Sequence, residues 1–408
     1  MKGTALQPTG KAERIQYLDI LRGIAIFFIF IANLISFSGW FAMADETKSA
    51  MSFPLLNDVI EFYLRVFVDG KWYSIFSILF GIGFAIQLSR AKVKGVHFPP
   101  FFFRRMMGLL LIGLLHIFFW IGDILSLYAL LGLLLILFRN CKNNTLLYWA
   151  TALMLAPILH MVLAEMLFAP PYFRSLFIYL DQTWVEAGFA LRDWRGTGRP
   201  NLDPLYHLQT ESLSEFIRIN LFLPLLRLAM MLAEARAFKV LACFLIGFWA
   251  GRKILEQQLL KNHTFLKRLA ILGLFIGVAA NLCMYYLESI EPSKYGHLLW
   301  VSLYAIGVIP LALSYCAITA LLWKANKNLL RIFEPVGKMA LSNYLFQTLV
   351  SVFFFYGIGL GFAAQLSLWQ IMLFGIGVFS FQCWFSFIYL RFKRQGPFEW
   401  FWRKITYS

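Results

Sequence analysis

Residues 104–139, RRMMGLLLIGLLHIFFWIGDILSLYALLGLLLILFR, are the stretch of this sequence that decides the fold. A transmembrane helix needs about 20 predominantly apolar residues, so the stretch is long enough to cross a bilayer twice, with a turn at Gly122. It nevertheless carries two ionisable side chains, His116 and Asp123, near its middle. Such groups are costly at membrane depth and often mark functional sites. We therefore predict a hairpin of two membrane helices with candidate chemistry near its turn.

The composition of the whole chain predicts an integral membrane protein. Hydrophobic residues make up 60% of the 408 residues and charged residues only 14%, too few to cover a soluble protein of this size. Apolar runs of spanning length recur along the chain. The net charge of +16 is attributed to Lys and Arg in cytoplasmic loops, which set orientation, and not to nucleic-acid binding. We expect the lipid bilayer and a small-molecule substrate as partners; the sequence leaves the oligomeric state open.

The charged loops predict an all-α, polytopic bundle of about ten spans with both termini in the cytoplasm. Five basic residues and no acid lie between residues 90 and 105, which gives the firmest orientation. No repeat or linker divides the chain, so residues 1–408 are predicted to form a single membrane domain. Two of the predicted spans form the 104–139 hairpin, and the others lie near 17–40, 70–90, 146–168, 238–252, 267–287, 297–323, 338–360 and 367–391.

The longest polar region, 169–237, is assigned to the outer surface. Its later part, 212–235, is apolar enough to suggest a further span, but Arg218, Pro224 and Arg227 interrupt it. Counting it as a span would also place the basic residues that follow it outside. An interfacial or re-entrant helix is therefore favoured, and a full span is the alternative.

The first span carries a polar face. Arg22 and Asn33 are eleven residues apart, so at about 100° per residue they share one side of a helix and lie roughly 16 Å apart along it. Asp19 adds a carboxylate close to Arg22. The pattern fits a substrate-binding face, and an ion pair at the membrane surface explains it equally well. Charges inside the segment also argue against a cleaved signal peptide.

The same spacing recurs between Arg105 and His116. A helix through both sets a cation at the cytoplasmic end and an imidazole about three turns deeper on the same face. Arginine binds phosphate bidentately, and histidine is the usual general base near neutral pH. Arg104 and Arg105 also have a simpler explanation as topology determinants. For His116 and Asp123, a catalytic pair and a structural hydrogen bond between helix ends remain alternative interpretations.

Three further polar residues are secondary candidates for substrate binding. Tyr128 follows Asp123 closely enough to join its network. Asn343 and Gln347 lie four residues apart on one helical face, where such side chains more often link neighbouring membrane helices. The five cysteines are scattered without the spacing of a metal site or a disulfide framework. We therefore predict no metal and no permanently bound cofactor.

Several sequence blocks resemble the YeiB-like family of bacterial membrane proteins, a domain of unknown function that has been loosely labelled as transport-related. The resemblance implies a multi-pass protein of the bacterial cytoplasmic membrane, with residues 238–408 as the helical part characteristic of the family. The blocks are YLDILRGIA at 17–25, GLLH at 113–116, GDIL at 122–125, GKMALSNY at 337–344 and GPFEW at 396–400.

The Leu-Asp-x-Leu-Arg-Gly opening is also similar to that of membrane acyltransferases, including heparan glucosaminide acetyltransferases and sugar O-acyltransferases. These enzymes take acyl groups from cytoplasmic acyl-CoA, so the resemblance implies acyl-CoA as a co-substrate. In this interpretation Arg22, Arg104 and Arg105 hold the phosphates of acyl-CoA. His116 acts as general base toward a membrane or extracytoplasmic acceptor, and Asp123 orients it.

One difference from those acyltransferases concerns their histidine, which lies within or after the first span. Residues 33–40 of this chain contain no histidine, so His116 has to supply the base by a different route. The main alternative is a transporter or permease, and a sensor or scaffold is a third possibility. In the transporter, a substrate or proton relay would consist of Asp19, Arg22, His116 and Asp123.

Overall fold

The computed structural model describes residues 15–167, 172–189, 202–256, 258–288 and 294–407, and the regular secondary structure among them is helical. A π-helical turn, Leu64–Val68, joins α3 to α4. The α-helices in chain order are α1 Gln16–Phe37, α2 Asp45–Ser49, α3 Pro54–Tyr63, α4 Lys71–Val93, α5 Phe98–Ile117, α6 Leu125–Leu134, α7 Asn143–Leu167, α8 Tyr172–Glu186, α9 Pro204–Gln209, α10 Leu213–Asn220, α11 Leu223–Ala233, α12 Arg236–Leu255, α13 His263–Glu288, α14 Lys294–Ala325, α15 Phe333–Lys338, α16 Ala340–Phe355, α17 Leu368–Phe392 and α18 Pro397–Tyr407.

The helices confirm the all-α membrane fold. Within the described ranges, seven helical segments are long and apolar enough to cross a membrane, and the ten spans and cytoplasmic termini stay predictions. Each predicted span coincides with a helix, but α6 and α16 have only 10 and 16 residues, and α12 carries four basic residues. The seven segments are Gln16–Phe37, Pro54–Val93, Phe98–Ile117, Asn143–Ala164, His263–Glu288, Leu298–Ala325 and Leu368–Phe392.

The packing around α1 positions the site. This helix contacts α4, α14, α15, α16 and α17. Gly337 of α15 lies so close to α1 that a Cβ atom there would come within 1.8 Å of the carbonyl oxygen of Asp19. Small residues allow such close backbone approach between membrane helices. The start of α16 is thereby held beside the polar face of α1.

The segment predicted as interfacial or re-entrant forms the bent pair α10–α11. The two helices meet at 44°, which fits either a broken span or a re-entrant loop, so both alternatives for 212–235 remain. Pro224 lies in the first turn of α11, a position that tolerates its missing N–H and its fixed backbone angle. The parts of 169–237 at residues 169–171 and 190–201 lie outside the described residues.

Candidate functional site

Asp123 lies in the turn of the predicted hairpin, between the end of α5 and the start of α6. Its carboxylate accepts hydrogen bonds from the backbone N–H groups of Leu125 at 3.2 Å and Ser126 at 2.9 Å, and from the Ser126 hydroxyl at 2.6 Å. The first N–H groups of a helix have no partner within that helix. Asp123 therefore caps α6 and fixes the sharp turn.

The structure brings His116 and Asp123 together. Nδ1 of His116 lies 2.8 Å from the Asp123 carboxylate, and Nε2 lies 2.8 Å from the hydroxyl of Thr348 on α16. His116 is 4% exposed and Asp123 is fully buried, at 0%. Both ring nitrogens are thus occupied inside the protein. Thr348 is 232 residues away along the chain, and no pattern in the sequence predicts this contact.

A cavity of about 350 Å³ lies beside this buried pair. Gly122, Ile124 and Tyr344 line it, whereas His116 and Asp123 do not. The ring centroid of Tyr344 is 4.9 Å from that of His116. Tyr344 is therefore the side chain that contacts both the imidazole and the cavity.

The cavity extends along α4 and α5, and its two ends have different linings. We call the end at Arg22, Arg105 and Arg403 the arginine end, and the end at Gly122 and Arg236 the hairpin end. Because an α-helix rises 1.5 Å per residue, the level of His116 lies roughly 16 Å along α5 from that of Arg105.

The arginine end carries an excess of positive charge. Nη1 of Arg22 pairs with the Asp19 carboxylate at 2.7 Å and also donates to the Gly337 carbonyl at 3.3 Å. The guanidinium of Arg105 stacks 3.7 Å from the ring centre of Trp402 on α18. In the part of the chain that the structure describes, Arg105 has no carboxylate partner. Its charge is available to an anionic ligand.

Glu399 is an acid at this end that sequence reasoning did not assign to the site. Its carboxylate accepts hydrogen bonds from the N–H groups of Leu341 at 2.7 Å and Ser342 at 3.2 Å, and from the Ser342 hydroxyl at 2.5 Å. Burial raises the pKa of Glu399 above its usual value. Glu399 caps α16, and its carboxylate is hydrogen-bonded to the first residues of that helix. The GPFEW block contains Glu399 and could have signalled it.

The other residues predicted to bind substrate differ in whether they line the cavity. Asn33 lines the cavity with Arg22, as their spacing predicts. Tyr128 lines it too, and its hydroxyl lies 2.6 Å from the Ser77 hydroxyl and 3.0 Å from the Tyr73 carbonyl oxygen, which ties α6 to α4. Arg104 is exposed and does not line the cavity. Its position leaves Arg105 as the arginine of that pair that can reach a ligand.

Asn343 and Gln347 are placed away from the cavity wall. Asn343 donates to the Ser386 hydroxyl at 3.1 Å, and Gln347 donates to the Gln382 side chain at 2.9 Å. These bonds join α16 to α17, which is the usual role of buried amides in membrane bundles. Within the described ranges, no three His, Cys, Asp or Glu side chains are grouped so that they could hold a metal ion.

Comparison with known proteins gives relatives along the full length of the chain. Residues 250–408 match a family model described as a protein of unknown function (DUF418). The chain is 34% identical to the uncharacterized protein YxaH of Bacillus subtilis (strain 168), covering 99% of this chain and 97% of that protein. It is 26% identical to the uncharacterized protein YeiB of Escherichia coli (strain K12), covering 97% and 96%. No solved structure matches it.

Proposed function

We propose that this chain, which belongs to the YeiB-like family and matches DUF418 over residues 250–408, is a membrane acyltransferase. It would transfer an acyl group from cytoplasmic acyl-CoA to an acceptor in the membrane or outside it. We place this activity in the bacterial cytoplasmic membrane. The observation that supports the proposal best is the unneutralised arginine at one end of a long cavity.

Arg105 has the properties expected of a phosphate-binding residue. Its guanidinium plane stacks on Trp402, which leaves the in-plane N–H groups free to bind oxygen atoms. Arg22 and Arg403 line the same end and interact electrostatically with Arg105, so a bound anion would relieve the repulsion among them. Acyl-CoA carries its phosphates at one end of a long flexible arm. The 16 Å separation between the levels of Arg105 and His116 leaves room for that arm.

The proposed transfer uses His116 as a general base. The acceptor hydroxyl oxygen attacks the thioester carbonyl carbon, the carbon–sulfur bond breaks, and the hydroxyl proton passes to Nε2 of His116. The same proton then passes to the departing CoA thiolate. Asp123 accepts a hydrogen bond from Nδ1–H of His116, which leaves Nε2 free to accept the hydroxyl proton. The Thr348 hydroxyl occupies Nε2 in the structure, so the acceptor hydroxyl would have to replace it.

The proposal is tested by acetyl-CoA binding to purified, full-length protein, measured by calorimetry. We expect Arg105→Gln to weaken binding by about tenfold or more, because a charge-assisted hydrogen bond contributes roughly 1.5–3 kcal/mol. Arg104→Gln is the matched control, since the neighbouring side chain is exposed and off the cavity. No binding at millimolar acetyl-CoA, or equal losses in both variants, would refute the phosphate role.

Turnover tests the chemical step separately. With water as the acceptor, the wild-type protein should release free CoA and acetate from acetyl-CoA. This release should be lost in His116→Ala, while acetyl-CoA binding is retained. Turnover that survives in His116→Ala would show that another group supplies the base.

A transporter or permease is the second candidate. It is favoured by the enclosure of His116, which is bonded on both sides within the protein instead of facing the cavity. A relay through Asp19, Arg22, His116 and Asp123 would move protons or a substrate across the membrane. Vesicles containing the protein and an internal pH dye would report proton uptake under an imposed membrane potential. The relay predicts uptake that His116→Ala abolishes, and an equal signal from empty vesicles would refute it.

A further inference from the structure

Arg227 on α11 is buried without compensation. Its side chain is 3% exposed, and its Nε and Nη2 atoms have no hydrogen-bond partner among the described residues. Arginine stays protonated in proteins, so this is a buried charge and not a neutral group. A buried charge without a partner costs several kcal/mol. The described residues supply no hydrogen-bond acceptor to these two atoms, and an external anion would supply one.

The acids around Arg227 are engaged elsewhere. Asp123 and Glu234 are both near enough to interact with it electrostatically. Asp123, however, is bonded to His116 and to the start of α6. Glu234 forms an ion pair with Arg236 at 2.6 Å. Neither carboxylate completes the hydrogen bonding of Arg227.

Arg227 does not itself line the cavity, but it neighbours two side chains that do. Arg236 and Tyr344 both line the cavity, and both interact electrostatically with Arg227. Glu234, between the ends of α11 and α12, pairs with Arg236, while Asp123 also acts on Arg227 and Asp69 on Arg236. A ligand entering this end meets the side chain of Arg236 on the cavity wall, with Arg227 beside it.

We infer that Arg227 and Arg236 form an anion-binding site at the hairpin end, and that its ligand is a phosphate group carried by a lipid headgroup or by a free phosphorylated polyol. The unbonded atoms of Arg227, Nε and Nη2, form the edge of the guanidinium that grips two oxygen atoms in parallel. A tetrahedral phosphate has further oxygens for the second guanidinium. The site goes beyond the proposed transfer, and its existence does not depend on that activity.

Binding to the purified, lipid-depleted full chain in neutral detergent tests the inference. The probes are inorganic phosphate, glycerol 3-phosphate and mixed micelles containing phosphatidylglycerol. Chloride at equal ionic strength and micelles containing phosphatidylcholine serve as the reference conditions. The thermal unfolding midpoint should rise with a phosphate probe, because a ligand that binds only the folded state stabilises it. Arg227→Gln should weaken the apparent phosphate affinity by about tenfold or more.

Arg218→Gln is the matched control on the same bent pair. Arg218 is exposed and pairs with Glu215 at 3.1 Å, so its loss should leave the phosphate effect unchanged. Arg227→Lys keeps the positive charge but loses the Nε–Nη2 edge that binds two oxygen atoms. It replaces Arg227→Gln in the comparison with wild type if the Gln variant does not fold. We expect it also to bind phosphate more weakly than wild type.

Each outcome decides the inference. A rise with the soluble phosphates identifies a free ligand, and a rise confined to phosphatidylglycerol identifies a lipid headgroup. No rise with any probe, or an equal rise in wild type and both Arg227 variants, would overturn the site. Acetyl-CoA binding is expected to survive in Arg227→Gln. If the wild type fails to bind acetyl-CoA but still responds to phosphate, the proposed transfer falls and this site stands.

Discussion

Replacing His116 with alanine removes the imidazole that joins the hairpin turn to α16. The wild-type ring makes two buried hydrogen bonds, one of 2.8 Å to Asp123 and one of 2.8 Å to Thr348. A hydrogen bond to a charged group contributes about 1.5–3 kcal/mol to stability and a neutral one about 0.5–1.5 kcal/mol. Asp123 keeps its three hydrogen bonds to Leu125 and Ser126, so its buried carboxylate remains hydrogen-bonded in the variant. The expected loss of stability is therefore about 2–4 kcal/mol.

Equilibrium unfolding in mixed micelles measures this loss through tryptophan fluorescence. Trp120 is a local reporter, since its ring centroid lies 6.0 Å from that of His116. Thr348→Val keeps the side-chain shape and removes only the second bond, so it should cost about 1–3 kcal/mol by leaving Nε2 unsatisfied. The exposed His263 provides a control, and His263→Ala should stay within about 0.5 kcal/mol of wild type.

The size of the stability loss tests whether the two hydrogen bonds of His116 are maintained in the protein. A loss below about 1 kcal/mol for His116→Ala would refute the reasoning, because it would mean that the two short bonds are not maintained in the protein. Close additivity in the double variant with Thr348→Val would also contradict it, since directly bonded residues are expected to couple.

Three further outcomes test the helix packing and the outer region. Gly337→Ala should destabilise by about 1–3 kcal/mol in thermal unfolding, because its Cβ would overlap α1. Gly377→Ala, which has open space around it, should not. Glu399→Ala should cost about 1–2 kcal/mol in the same assay, because α16 loses its cap, and an unchanged midpoint would contradict that role. Burial lowers the pKa of His207 to about 4 from 6.5. As the pH falls, His207 therefore takes up a proton in the unfolded chain before it does so in the folded protein. The free energy of unfolding should fall by roughly 3 kcal/mol at most between pH 6.5 and 4. His207→Gln should flatten that decline in unfolding measured against pH.

The sequence predicted the positions of the helices more accurately than their lengths. Long apolar runs bounded by charges are a strong signal, and every predicted span coincides with a helix. The leucine run of the hairpin continues to Leu137, yet α6 ends at Leu134 and gives way to turns. An apolar run does not by itself determine where a helix ends. The short α16 packs on α1 and bonds to α17, so protein surrounds much of its length in place of lipid.

The sequence predicted the faces of single helices but not the contacts between distant ones. Helical spacing placed Arg22 and Asn33 on one side of α1, and both line the cavity. It also placed Arg105 and His116 on one face of α5, but only Arg105 reaches the cavity. Thr348 bonds to His116 from a helix far along the chain, and helical periodicity carries no information about such a partner. Tertiary packing therefore decides which predicted residues can meet a ligand.

Each end of the cavity has an arginine whose hydrogen bonding is incomplete. At the arginine end, Arg105 is held by the ring of Trp402 and has no carboxylate among the described residues. At the hairpin end, Glu234 bonds to Arg236, and Nε and Nη2 of Arg227 have no hydrogen-bond partner in the part of the chain that the structure describes. Each end thus retains a guanidinium whose hydrogen bonding an external anion would complete. A donor bound through its phosphates at one end and an anionic acceptor at the other would satisfy both, with the His116 pair beside the hairpin end. If only one of the two anions binds, the two-substrate arrangement is wrong even where the single site is right.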